Sequence, residues 1–211
     1  VNLRAVVFDL FGTLVFLGQN RKPWPQLLRD IGYSDFGRAR REVMSHDHET
    51  VLALLRQGGL KEQSRLEAAR QTIAEDIATA GLYPGVLATL RALRERGIAV
   101  GILSNVSVYY RPAFFSLGLD QAVDAWLMSC DEGCVKPDEQ IYRLMLERLG
   151  VSPQEALMIG DSFRCDVDGP RRIGMQARRI DHRSPSRPEG VLGSLKEVLW
   201  LIESLGHDRL T

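Results

Sequence analysis

The chain has 211 residues, 45% of them apolar, with 27 basic residues against 27 acidic ones. This suits one large domain, or one domain with an insertion, around a real core. The formal net charge of zero excludes an electrostatic grip on nucleic acid or a polybasic membrane surface as the organising feature. No apolar run approaches a membrane span, and the apolar start is too short for a signal peptide before it meets Asp9. Cys130, Cys134 and Cys165 are an odd set, expected to be reduced thiols of a cytoplasmic protein. Cys130 and Cys134 have no second pair to complete a zinc site.

In chain order, Ala5-Val6-Val7-Phe8 is a short run rich in β-type residues that leads into Asp9, and it predicts a buried strand. Gly12 allows a sharp turn just beyond it. Over 23–81 no strand-like run occurs. Helical stretches are predicted at 24–31, 37–55 and 62–80, the last with Leu66, Ala69, Ile73 and Ile77 at helical spacing, and Gly58-Gly59 is a break. Residues 17–82 therefore read as a small all-helical piece inserted after the first strand, above the sheet edge as a lid. Residues 1–16 and 83–211 form the core. Beyond Tyr83-Pro84-Gly85, helices at 86–96, 110–117, 138–149, another closed by 171–174, and 194–205 alternate with strands at 98–103, 125–129, 156–159 and 176–180. Such alternation predicts an α/β fold with a parallel sheet and right-handed crossovers.

Three of these strands end in polar residues: Asp9, Ser104-Asn105 and Asp161, while Lys136 follows the 125–129 strand. Parallel strands bring their carboxyl ends to one edge, where ligands bind in open α/β sheets. Two carboxylates, a hydroxyl, an amide and an ammonium converging there suit a phosphoryl group with a divalent cation. Asp9 and Asp161 are candidate metal ligands, and Thr13, Ser104, Asn105 and Lys136 candidate donors to the phosphate.

Four segments in order resemble the motifs of the haloacid dehalogenase superfamily of hydrolases: Asp9-Leu10-Phe11-Gly12-Thr13-Leu14, Leu103-Ser104-Asn105, Lys136-Pro137, and Gly160-Asp161-Ser162-Phe163-Arg164-Cys165-Asp166. The resemblance implies a Rossmann-like core with a helical cap after the first motif. It also implies Asp9 as covalent nucleophile, Ser104 and Asn105 binding the transferring group, and Lys136 steadying the negative charge. Mg2+ would sit on Asp9, Asp161 and the backbone carbonyl of Phe11. Asp166 is expected in the site as well, fixing Lys136 or a water, although it could equally cap the following helix. The implied partner is a small phosphorylated molecule; nothing in the sequence sets the substrate or the oligomeric state.

The chain departs from the phosphatase pattern at Phe11, where most members carry a second Asp as general acid and base. A phenyl ring moves no proton, and such catalysis contributes ~10²–10⁴-fold. The dehalogenases of the superfamily carry an aromatic residue there, because a halide leaves without a proton, so 2-haloacid dehalogenation is the alternative reading. Asp161 points the other way: the dehalogenases use no metal, and without a cation Asp9 and Asp161 would repel each other. A member that only binds is a third reading. His46-Asp47-His48 and the run Arg38, Arg40, Arg41 read as solvated helix surface. Trp24 and Tyr33 read as packing of the insertion. Tyr109 and Tyr110 are equally suited to packing and to lining the pocket.

Overall fold

The computed structural model describes residues 2–19, 21, 23, 27, 36–47, 51, 53 and 63–207. The expected helix at 24–31, and Trp24, Tyr33, His48 and Gly58-Gly59, lie largely or wholly outside them. Among the described residues the strands are β1 (Ala5–Phe8), β2 (Val15–Phe16), β3 (Gly81–Leu82), β4 (Ala99–Ser104), β5 (Ala125–Met128), β6 (Ala156–Gly160) and β7 (Gln176–Arg179). The helices are α1 (Phe36–Ser45), α2 (Gln63–Ala78), α3 (Val86–Glu95), α4 (Pro112–Ser116), α5 (Leu119–Ala122), α6 (Ser129–Glu132), α7 (Glu139–Leu149), α8 (Gly169–Arg172) and α9 (Leu195–His207). A π-helical segment, Phe163–Asp168, precedes α8. Among the described residues no helix is long and apolar enough to cross a membrane.

β1 lies in the middle of a five-stranded sheet of order β5-β4-β1-β6-β7, in which every neighbouring pair is parallel. Its four residues are fully buried because helices cover both faces of the sheet. The period of two divides them. Val6 and Phe8 join a cluster with Leu90 and Leu93 of α3 and Val198 of α9, whereas Ala5 and Val7 join one with Tyr142 and Met145 of α7. The α/β class and the parallel core strands match the sequence reading, with boundaries shifted by one or two residues.

The reading of 23–81 as free of strand is touched only at its boundary, Gly81, but a short ribbon at the two ends of this segment went unpredicted. β2 and β3 pair antiparallel, Val15 with Leu82 and Phe16 with Gly81. Two residues per strand are too few to show any periodicity, so the ribbon exists by pairing alone. The short α5 and α6 were likewise absent from the sequence reading. Arg41 of α1 is tied by both nitrogens to Asp138 and so is not merely solvated. The side chains of Arg38 and Arg40 lie outside the described residues.

Gly169 packs where a side chain has no room: a Cβ there would lie 2.2 Å from the hydroxyl and 2.9 Å from Cζ of Tyr142. That ring is fully buried, and its hydroxyl donates to the carbonyl of Cys165. Gly169→Ala should therefore destabilise the fold by ~1–3 kcal/mol through overpacking. The helix-propensity gain of about 0.5–1 kcal/mol is too small to offset it. An unchanged or raised urea midpoint would contradict this packing.

Candidate active site

Asp9 follows β1 directly, and its N–H donates to the carbonyl of Ile159 at 2.9 Å, so the residue is held between β1 and β6. The next residues turn back on themselves. Leu14 and Val15 both donate to the Leu10 carbonyl, at 2.9 and 2.8 Å, and Gly12 donates to Val15 at 2.8 Å. Gly12 has φ +88°, and a Cβ there would lie 2.4 Å from Oδ2 of Asp161. Glycine is thus required for its conformation and for the approach of that carboxylate. Thr13, fully buried, donates its hydroxyl to Oδ2 of Asp9 at 3.4 Å.

Lys136 lies at the centre. It is 3% exposed, and its ammonium donates to Oδ1 of Asp9 (2.7 Å), Oδ1 of Asp166 (2.7 Å) and the Leu103 carbonyl at the end of β4 (2.8 Å). Its three hydrogens are therefore all used. Asn105 holds the Lys136 backbone from both sides: the Lys136 N–H donates to Oδ1 and Nδ2 donates to the Lys136 carbonyl, each at 2.7 Å. Asp166 is buried, and its other oxygen accepts from the Ser162 N–H at 3.0 Å. Ser104 is buried at the end of β4.

One ammonium between two buried carboxylates leaves negative charge in excess. Burial pushes the Asp9 carboxyl up to about 7, against the nearby Lys136, with Asp166 and Asp161 adding repulsion. Asp161 is raised too, first by burial and then by Asp166. Lys136 stays charged: burial works against its ammonium, but Asp166 and Asp9 together hold its pKa above the ordinary lysine range. One oxygen from each of Asp9, Asp161 and Asp166 lies within 4.8 Å of the others, and Asp161 is exposed. Among the described residues Asp161 forms no side-chain ion pair. The sequence thus brought Asp9, Thr13, Lys136, Asp161 and Asp166 to one point, with Ser104 and Asn105 at the adjoining strand end.

Phe11, half-buried, meets Tyr110 edge to face, with ring centroids 6.0 Å apart at 74°. The Tyr110 hydroxyl donates to Oδ2 of Asp76 in α2 at 3.0 Å. Asp76 is fully buried and also accepts from the backbone N–H (3.2 Å) and Nε (3.4 Å) of Arg21. His46 is spent locally, with Nδ1 at 2.8 Å from the Glu42 carbonyl. The sequence reading missed His182, whose Nε2 lies 2.9 Å from the Thr13 carbonyl. The strand-end rule applied to β1, β4 and β6 would have stopped at Asp181, one residue short of His182, which lies three residues beyond β7.

A family model described as haloacid dehalogenase-like hydrolase matches residues 3–174. The chain is 35% identical to a phosphoserine phosphatase of Thermus thermophilus over 72% of this chain and 63% of that protein, so it spans less than two thirds of that relative. It is also 29% identical to an (S)-2-haloacid dehalogenase of Burkholderia cepacia, over 92% of this chain and 90% of the relative. Among solved structures, that of a HAD phosphatase from Thermococcus onnurineus superposes with a TM-score of 0.65 at 28% identity, covering 95% of this chain and 98% of the other. With its motifs on one sheet edge and the family model spanning most of its length, the chain belongs to the haloacid dehalogenase-like hydrolases.

Proposed function

We propose that the protein is a Mg2+-dependent phosphatase acting on a small phosphorylated metabolite in the cytoplasm, through an aspartyl-phosphate on Asp9. The observation that carries this reading is Asp161: an exposed carboxylate close to Asp9, beside a turn bare of side chain, with no ion pair among the described residues. Both oxygens of Asp166 are engaged, by Lys136 at 2.7 Å and Ser162 at 3.0 Å, whereas Oδ2 of Asp9 has only the longer 3.4 Å contact from the Thr13 hydroxyl and Asp161 has no ion pair among the described residues, so Asp9 and Asp161 are the carboxylates best free for a metal. Hard oxygen ligands of this number, with room for water and substrate oxygens, fit Mg2+. Asp9, Asp161 and the Phe11 carbonyl would hold the ion, which supplies positive charge where two carboxylates and a phosphate meet.

In this reading an Asp9 oxygen attacks phosphorus, the bond to the leaving oxygen breaks, and that oxygen takes the electron pair. Water then attacks the acyl phosphate, releasing inorganic phosphate and restoring the Asp9 carboxylate. Lys136 orients Asp9 and offsets charge. Thr13 and Ser104 would meet the transferring group; Asn105, which holds the Lys136 backbone through Oδ1 and one Nδ2 hydrogen, would offer it only the second Nδ2 hydrogen, and Asp166 positions Lys136. Residues 17–82 form the cap. The β2–β3 ribbon draws its two ends together, and Arg41 to Asp138, Ser129 to the Met44 carbonyl, and Tyr110 to Asp76 tie it to the carboxyl edge. Phe11 favours a second reading, 2-haloacid dehalogenation, in which Asp9 displaces a halide that needs no proton.

Asp9→Asn should abolish turnover while the protein stays folded; full activity in that variant would overturn the nucleophile. Phosphate release should stop with a chelator and should favour acyl or aryl phosphates over alkyl phosphates. Phe11→Asp should raise activity on alkyl phosphates by up to ~10²–10⁴-fold. Halide release from a 2-haloacid in the presence of chelator would instead establish the second reading.

Stability should carry the mark of the crowded carboxylates. A carboxyl raised from 3.8 to about 7 binds its proton more tightly in the folded state, so chelator-treated protein should lose stability as pH rises through that window. Thermal melts of Asp9→Asn should gain on the wild type from pH 4 to 7. A constant difference would contradict the shift.

A further inference from the structure

Thr13 is fully buried, so its carbonyl needs a hydrogen-bond partner. Among the described residues that donor is His182, whose Nε2–H reaches the oxygen at 2.9 Å. The ring bonds through Nε2 in the neutral Nε2–H tautomer and in the cation alike. The His182 ring also lies flat on Tyr83, with centroids 3.9 Å apart and planes at 13°. The Tyr83 N–H in turn donates to the Leu14 carbonyl at 2.9 Å, and its ring meets Phe16 edge to face at 5.5 Å. Two consecutive carbonyls of the turn after Asp9 are therefore held by two residues whose rings stack on each other: His182, in the loop after β7, through its ring Nε2–H, and Tyr83, on the chain leaving β3, through its backbone N–H.

We infer that His182, outside the four motifs, is a positioning residue for the nucleophile turn, acting through its hydrogen bond to Thr13 and seated by Tyr83. The turn carries Asp9, the Thr13 hydroxyl 3.4 Å from Oδ2 of Asp9, and the Phe11 carbonyl. It has little support of its own at Thr13, whose N–H reaches Leu10 only at 3.4 Å. Freeing the Thr13 carbonyl would let the turn move against Lys136 and Asp166, and misplacement of about 1 Å can cost ~10²-fold in rate. The inference rests on Asp9 as the reacting carboxylate, and it holds for phosphoryl transfer and for dehalogenation.

The test uses two variants of the full chain that separate the two contacts. His182→Phe keeps the stack on Tyr83 and removes the donor; His182→Gln keeps a donor near Nε2 and removes the ring stack. With p-nitrophenyl phosphate and Mg2+, kcat should fall roughly 10–100-fold in His182→Phe with KM little changed, and His182→Gln should recover most of the loss. Amide hydrogen exchange at 12–15 should quicken in His182→Phe and stay slow in His182→Gln, with thermal midpoints of both close to the wild type. Loss of kcat in His182→Gln but not in His182→Phe would assign the effect to packing and overturn the inference. Unchanged exchange at 12–15 in both variants would overturn it as well. A wild-type protein inert toward the probe counts against the phosphatase reading alone, because the exchange measurement still decides the role of His182.

Discussion

The ammonium of Lys136, shared between Asp9, Asp166 and the Leu103 carbonyl, is the interaction on which the site depends. An ammonium this deeply buried is tolerable only with every hydrogen paired, and stripping one partner from a buried ion pair costs about 3–5 kcal/mol. The requirement reaches outward. Asn105 clamps the Lys136 backbone, Ser162 clamps Asp166, and Ile159 anchors Asp9. Asn105 follows β4, while Ile159 and Ser162 lie in and just after β6, so the charge centre and the order of strands flanking β1 support each other.

Close approach of like charges is then controlled by glycine. Gly12 admits Asp161, and a Cβ at Gly160 would lie 2.3 Å from Cγ of Asp166. Both glycines leave the space that the carboxylates fill. The result is a site with one cation for two buried acids and a third acid at its mouth, in which neighbouring carboxylates and burial raise the pKa of Asp9 and Asp161.

Helix α2 is joined to the turn after Asp9 through a carboxylate and two aromatic rings. Asp76, buried in α2, holds the Tyr110 hydroxyl, and the Tyr110 ring meets Phe11, two residues beyond Asp9. A residue of this family position that cannot carry a proton is thereby built into packing between α2 and the core.

The sequence by itself determined the sheet and the residues that meet at its edge. Strands such as Ala5–Phe8 and Ala156–Gly160 are continuous apolar runs because both their faces are covered, and parallel order then forces Asp9, Ser104 and Asp161 together. Only the tertiary structure decided how those groups are used: that the Asn105 amide serves the Lys136 backbone, that Asp166 faces Lys136, and that β2 pairs with β3. It alone joined Tyr110 to Asp76 and His182 to Thr13, the latter pair 169 residues apart. None of these contacts has a periodicity or a local spacing to announce it. Each arises because a buried polar atom takes whichever partner packing places within reach.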